Sequence, residues 1–476
     1  MIAELKPYPS MKDSGVPWLG EVPGHWEVRR LKYLLRERDV RSEYGTEQLL
    51  RVSQYTGVTE RRRSDGSGES DSRAESLVGY KNAEPGDLIV NIMLAWNGSM
   101  GVSPFFGITS PAYCVYRFNQ TVFPWYYHHL LRSPAYKARI KAVSTGVVES
   151  RLRLYTDDLY RIEALLLPLP EQTAIVRFLD HYERKIRRYI RAKQKLIKLL
   201  EEQKQAIIHR AVTRGIDPNV RLKSSGVEWL GDVPDHWDIM QIRHFAKVGN
   251  GSTPSRGNSA YWSNGTYPWL NSSNVNIGTI IKSDQFVTET ALLECHLPRV
   301  EPGSVLVAIT GQGKTRGTAA VLTIEATINQ HIAYVSLRKM GKNVLPEFLK
   351  NFLMAAYPEL RRISDDSGST KGALTCDDLK HFRVALPPIE EQKLINDWLN
   401  QATDSAVVAI NKLVREISLL LEYRTRLIAD VVTGKLDVRA VVTSLPEEVE
   451  EQEPIEEPDE MNASENEPDT VKELEV

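Results

Sequence analysis

At 476 residues, 42% hydrophobic and 26% charged, the chain has the makeup of a folded protein of two to four domains. No apolar run approaches the roughly 18 residues that cross a bilayer, and the amino terminus lacks a basic-then-apolar leader pattern. Cys114, Cys295 and Cys376 are too scattered for a disulfide framework or a zinc cluster, so a reduced, cytoplasmic protein is expected.

Net charge divides unevenly. Residues 446–476 hold 14 Asp and Glu against a single Lys, whereas the rest holds 59 Lys and Arg against 48 Asp and Glu. The acidic stretch, with four prolines, is expected to be disordered, and the basic body suits a polyanionic partner.

In chain order, the first signal is a repeat. Ser14-Gly-Val-Pro-Trp-Leu-Gly-Glu-Val-Pro-Gly-His-Trp26 returns as Ser225-Gly-Val-Glu-Trp-Leu-Gly-Asp-Val-Pro-Asp-His-Trp237, identical at 10 of 13 positions and offset by 211 residues. That offset is too long for a solenoid and marks two copies of a domain-sized unit. Glu84–Ile92 then matches Glu301–Ile309, and Leu167-Pro-Leu-Pro-Glu-Gln172 matches Leu386-Pro-Pro-Ile-Glu-Glu-Gln392. Between these anchors the copies diverge: Asn97–Arg117 shows no clear relation to Gly313–Val335. Each His beside a repeated Trp (His25, His236) is expected to make a hydrogen bond within the scaffold.

Each half is mixed in character. Asp87–Ile92, Val115–Phe118, Ser304–Ile309 and Ile332–Leu337 have the β-branched composition and Gly, Pro or Asn borders of strands. Trp125–Leu131 and Pro346–Ala356 are expected to be helical. The His128-His129 pair sits in an aromatic patch and is expected to be packed rather than metal-bound. Each half closes on a long helix free of Gly and Pro, 172–212 and 392–432. The first seam is Ile175, Leu179, Tyr182, Ile186, Tyr189, Leu196, Leu200 and Ile207, interrupted at Lys193. The second is Ile395, Leu399, Ala402, Ala406, Ile410, Leu413, Ile417, Leu420, Leu427 and Val431. Such spacing is that of a coiled coil. About 40 residues make a rod of roughly 60 Å, and two rods with matching seams are expected to pack on each other.

Ala308-Ile-Thr-Gly-Gln-Gly-Lys-Thr315 imitates a phosphate-binding loop. However, Gly317 and Thr318 start a helix poorly, the first glycine is replaced by Ala308, and the equivalent slot 91–101 has no Gly-Lys-Thr. It is read as a polar loop after a strand. No methyl-transfer, hydrolase-elbow or zinc-protease signature occurs, so a non-catalytic binding protein is expected, with no metal site. Candidate DNA contacts in the divergent loops of the first half are Arg61, Arg62, Arg63, Asn97, Ser99, Thr145, Arg151 and Arg153. In the second half they are Ser252, Thr253, Ser255, Arg256, Asn271, Ser273, Gln312, Lys314, Arg316, Thr370 and Lys371. Arg and Lys suit guanine edges and phosphates, Asn and Gln suit adenine, and Ser and Thr suit phosphates.

The doubled Ser-Gly-Val-x-Trp-Leu-Gly-x-Val-Pro-x-His-Trp opening, the Pro-Gly-Asp-Leu-Ile-Val strand, Gly249-Asn-Gly-Ser-Thr-Pro254 with Tyr267-Pro-Trp269, and the Leu-Pro-x-x-Glu-Gln helix starts resemble the specificity subunit of type I DNA restriction-modification enzymes. The resemblance runs to about residue 440 and implies an α+β fold with a pseudo-two-fold internal repeat. Two target recognition domains would be separated by two long helices packed as an antiparallel coiled coil. The expected division is 1–165 (first recognition domain), 166–215 (helix), 216–383 (second recognition domain), 384–440 (helix) and 441–476 (acidic tail). It further implies double-stranded DNA, two modification (methyltransferase) subunits and restriction subunits as partners. No cofactor is expected on this chain; S-adenosylmethionine, ATP and magnesium would sit on the partners. The alternative is a non-catalytic coiled-coil scaffold that binds protein partners only.

Overall fold

The computed structural model describes residues 5–61, 76–148, 152–311, 314–338, 343–366 and 372–446. Expectations at Arg62, Arg63, Arg151, Gln312, Thr370, Lys371 and the acidic tail lie outside them. The chain divides into two compact units that do not follow chain order: 1–187 with 420–476, and 188–419.

The repeated opening motif explains itself in both units. Met11–Asp13 pairs with Glu21–Pro23, and Leu222–Ser224 with Asp232–Pro234, in matching antiparallel register. The serine before the turn caps it, with Val16 N–H donating to Ser14 Oγ and Val227 N–H to Ser225 Oγ. The Val-Pro-x-His-Trp end then buries its tryptophan completely, Trp26 in one unit and Trp237 in the other. Both indoles and the neighbouring imidazoles converge on one carboxylate. Glu171 binds His25 Nε2 at 2.8 Å and accepts Trp26 Nε1–H at 3.2 Å; Glu391 binds His236 Nε2 at 2.7 Å and accepts Trp237 Nε1–H at 3.1 Å. The histidines therefore act within the scaffold, as expected.

The paired glutamines secure the same junction. Gln172 donates to Leu167 O and accepts from Phe123 N–H, while Gln392 donates to Pro387 O and accepts from Leu345 N–H. A buried amide that satisfies backbone groups left open by a strand-to-helix turn is hard to replace.

Each unit carries one antiparallel sheet of shared strand order. In the first the order is Leu35–Glu37, Cys114–Phe118, Leu88–Val90, Met100–Val102; in the second it is Ala246–Asn250, Ile332–Leu337, Val305–Ala308, Ala319–Leu322, to which Thr279–Ile280 adds in parallel. Register agrees too: Val90 pairs with Cys114, and its counterpart Val307 pairs with Ala333. Backbone pairing thus relates stretches in which the sequence showed no kinship. The second unit also has a three-stranded sheet (Gln285–Val287, Tyr267–Leu270, Thr327–Ile328) over a core of Trp269, Val287, Ala291 and Leu292, where the first has the pairs Leu50–Ser53 with Gly57–Glu60 and Lys81–Ala83 with Gly107–Thr109.

The long helices span Leu169–Arg214 and Ile389–Val432, each starting three residues before its expected glutamine. Pieces of both lie side by side, antiparallel, in each unit. In the first unit Ile175, Phe178 and Leu179 share a core with Leu427, Val431 and Val432, and Arg424 pairs with Glu183 at 2.7 Å. In the second, Ala211 and Val212 share a core with Ile395 and Leu399, and Lys193 pairs with Glu416. The second seam follows the sequence reading, with Arg424 added. The first departs from it: Tyr189 and Leu196 are exposed, and the covered positions run Ile186, Ile190, Lys193, Ile197, Leu200, Lys204, Ile207, Ala211. Lys193 is part of the seam rather than an interruption, its stem packed and its ammonium on Glu416.

Each long helix begins in one unit and ends in the other. The first stops at Gly215, φ +75°, beside Trp237 and Glu391; the second stops at Gly434, φ +77°, beside Pro23 and Trp26. In the first unit the chain beyond Gly434 closes onto the amino-terminal segment. Asp437 N–H donates to Lys6 O, Arg439 lies 5.0 Å over the Tyr8 ring, and Tyr8 O–H donates to Glu171.

Candidate nucleic-acid interface

One end of each sheet gathers the divergent loops. In the first unit, Leu154 N–H donates to Ile92 O at 2.9 Å, tying Arg153-Leu154 to the segment after strand Leu88–Val90. Thr145 and Arg153 come together here, and Asn97 ends the short helix Ala95–Asn97 in the segment after that strand. Thr145 and Arg153 exchange backbone hydrogen bonds, while Asn97 Oδ1 accepts from Ser99 N–H and Oγ–H. Ser99 is buried and serves this turn. Lys141, 5.5 Å from the Trp96 ring, adds a cation that the sequence reading missed. Arg61 ends a separate hairpin, its N–H on Leu49 O.

In the second unit the same tie recurs: Leu374 N–H donates to Ile309 O, again at 2.9 Å. Arg256 stacks over Trp262 at 3.8 Å and also faces Trp269 at 5.0 Å, with Nη2 on Gln285 Oε1. Stacking fixes the orientation of the planar guanidinium while leaving it exposed, a form suited to guanine edges or phosphate. Ser255 supports this platform, its carbonyl accepting Trp262 Nε1–H. Asn271 closes a capping box with Asn274 and accepts Ser273 N–H, so both expected residues serve a turn at the sheet end. Ser252 donates to Cys295 O, and Thr253 to Gln330 Oε1.

Arg316 corrects an expectation. It is 4% exposed, paired with Asp365 and donating to Gly372 O, so its guanidinium is held between these two residues instead of facing solvent. Lys314 remains exposed. The stretch that imitates a phosphate loop leads through a turn into strand Ala319–Leu322, with no helix after Lys314-Thr315. His128 and His129 are half-buried in their aromatic patch; Val102 N–H donates to His128 Nδ1 at 3.2 Å. Burial pushes His129 down to about 4, with Arg132, Arg424 and Arg187 adding to the effect and Glu183 opposing it.

Cationic charge is concentrated. The first long helix carries 12 Lys and Arg against 5 Asp and Glu, whereas the second carries 5 against 7. The sequence reading also passed over Thr310, Gln330 and His331. Thr310 directly follows a strand in which the copies agree, but Gln330 and His331 precede strand Ile332–Leu337 in the divergent stretch and carried no such signal.

A doubled frame that presents unlike polar ends, on a basic body, defines a tandem recognition protein. Residues 234–418 match the family model of the type I restriction modification DNA specificity domain. The chain is 22% identical over 206 residues to the type I restriction enzyme EcoR124I/EcoR124II specificity subunit of Escherichia coli, covering 43% of this chain and 47% of that one. It is 22% identical over 320 residues to the putative type I restriction enzyme MjaX specificity subunit of Methanocaldococcus jannaschii, covering 66% and 69%. The match thus spans about half the length of the first relative and about two thirds of the second. A solved chain of a type I R-M system shares the fold, with TM-score 0.61 and 18% identity over 87% of this chain and 99% of that one. Residues 234–418 are thus similar to a type I restriction modification DNA specificity domain, and the longer matches are to specificity subunits of such enzymes. Among the described residues no helix is long and apolar enough to cross a membrane.

Proposed function

We propose that this chain selects the DNA sequence for a type I restriction-modification complex, each sheet end reading one half of a bipartite target. What carries the reading is the pairing of a common frame with unlike edges: the 2.9 Å ties Leu154–Ile92 and Leu374–Ile309 are the same bond in two copies that present different side chains. A single recognition surface needs no second copy, whereas two unlike half-sites on one duplex do. Direct readout in the major groove would supply specificity, and Lys and Arg contacts to phosphate would supply salt-dependent affinity. The paired long helices would set the unread spacer. Two methyltransferase subunits and restriction subunits would dock on this chain in the cytoplasm, bringing S-adenosylmethionine, ATP and magnesium on their own surfaces.

A mobility-shift series with co-expressed modification subunits tests the assignment. The complex should shift duplex DNA carrying its target, with affinity falling linearly in log–log form as salt rises. A complex that assembles but shifts no DNA at low salt would favour a scaffold that binds proteins alone.

A further inference from the structure

Superposing the two registers shows where the copies differ most sharply. With Val90 equivalent to Val307 and Cys114 to Ala333, Met93 stands where the second unit has Thr310, and Pro111-Ala112 stand where it has Gln330-His331. The backbone is common and the side chains at that sheet end share no chemistry.

In the second unit the polar residues form one chain. Thr253 Oγ–H donates to Gln330 Oε1 at 2.6 Å, Gln330 Nε2 meets His331 Nε2 at 3.2 Å, and His331 Nδ1 meets Thr310 Oγ at 2.7 Å. One direction of donation satisfies every link: threonine to amide, amide to imidazole, imidazole Nδ1–H to the second threonine. Gln330 is then left with one outward N–H and one open carbonyl lone pair, both in fixed orientation. His331 is pinned further, since its own N–H donates to Asn329 Oδ1 at 3.0 Å. Gly251 makes the first link possible: a Cβ there would overlap the Ile328 carbonyl, and its absence lets the strand-end segment lie against 328–330.

Gln330 and His331 are exposed although every link is made. A row of exposed side chains already locked by neighbours loses little rotamer freedom on binding, and an amide offering a donor beside an acceptor matches the adenine edge.

We propose that Gln330 and His331, oriented by Thr253 and Thr310, are specificity-determining residues of the second domain, with Gln330 reading an adenine-bearing base pair in its half-site. This rests on the DNA-reading assignment above.

The test uses the full complex in a methylation-free host, with methylome sequencing of wild type, Gln330→Ala, Gln330→Glu and His331→Ala. Equilibrium binding of the purified complexes to oligonucleotides varied at one half-site accompanies it. Gln330→Glu keeps the shape and removes both amide N–H groups, the outward one and the one on His331, so His331→Ala is the control for the lost link. The expected result is relaxed preference at one or two positions of one half-site, a loss of discrimination of about 10- to 100-fold there, and an unchanged second half. Thermal melting of each variant at the wild-type temperature confirms that the fold is retained. An unchanged motif and unchanged discrimination overturn the proposal. So does a uniform drop across all sequences, which is the mark of a phosphate contact, or lost methylation with intact DNA specificity, the mark of a protein contact. If the wild-type complex neither binds nor methylates DNA, the functional assignment falls and this inference falls with it.

Discussion

The two sheets reach the same register by different chemistry. In the first unit Asp87, with a side chain 2% exposed, is gripped by Arg117 and Arg38, and Glu84 completes the network. In the second the equivalent pair is Ser304 and Ser336, joined by one hydrogen bond of 2.7 Å. One copy holds its sheet edge with charge and the other with two hydroxyls. A fold tolerates either, provided that each buried group finds its partner.

The consequences of that exchange are unequal and measurable. Asp87→Ala would leave the Arg38 and Arg117 guanidinium groups only the more exposed Glu84 as partner and should cost about 3 kcal/mol, whereas Ser304→Ala should cost about 1 kcal/mol in chemical denaturation. Equal losses would show that the charged network adds nothing to the neutral one. At the helix ends both glycines have positive φ, but only at Gly434 would a new Cβ run into the Pro23 ring; at Gly215 the nearest atoms are 3.4–3.5 Å away. Gly434→Ala is therefore expected to cost about 3 kcal/mol and Gly215→Ala about 1 kcal/mol, read as separate melting shifts.

Acid should divide the units as well. His129 is held neutral when folded, with its imidazole at about 4, against about 6.5 when unfolded. The unfolded chain therefore binds more protons between these values. From this imidazole the stabilisation is complete above about pH 6.5 and is lost as pH falls toward 4, by about 3 kcal/mol. The second unit has Asn351 at this position, bonded to Asn396. Following hydrogen exchange from pH 7 to 4.5 should show the first unit loosening first; a His129→Asn variant should narrow the gap. The smallest effects belong to the helix pairing. Arg424→Ala leaves Glu183, only 12% exposed, without its inter-helix partner and should cost about 1 kcal/mol. Lys193→Ala removes a solvent-screened pair together with a packed stem and should lower the melting temperature only slightly.

Much of this organisation was legible in the sequence because it rests on rare residues with fixed tasks. His-Trp and Glu-Gln recur together because an indole, an imidazole and a carboxylate must meet where a strand turns into a helix. The long helices declared themselves by spacing. The first seam was misjudged by one position around Lys193, since two apolar registers overlap there (189, 196 and 199 against 190, 197 and 200) and a lysine argues against the covered one. Arg316 was misjudged for a related reason: nothing local distinguishes a guanidinium held by residues far along the chain from one that faces solvent. The exchange of helix ends was not legible at all, because it depends on Gly434 meeting Pro23 across most of the chain. Nor was the row at Gln330 and His331, which emerges only when the two registers are laid over each other.

The account's central claim is that two copies of one frame read independently, and exchanging one of them tests it most directly. Residues 28–160 would be replaced by the corresponding segment of another type I specificity subunit, and the host methylome sequenced with the intact complex. One half of the methylated sequence should change while the other half and the spacing between them stay as they were. A change in both halves, or in neither, would contradict modular readout.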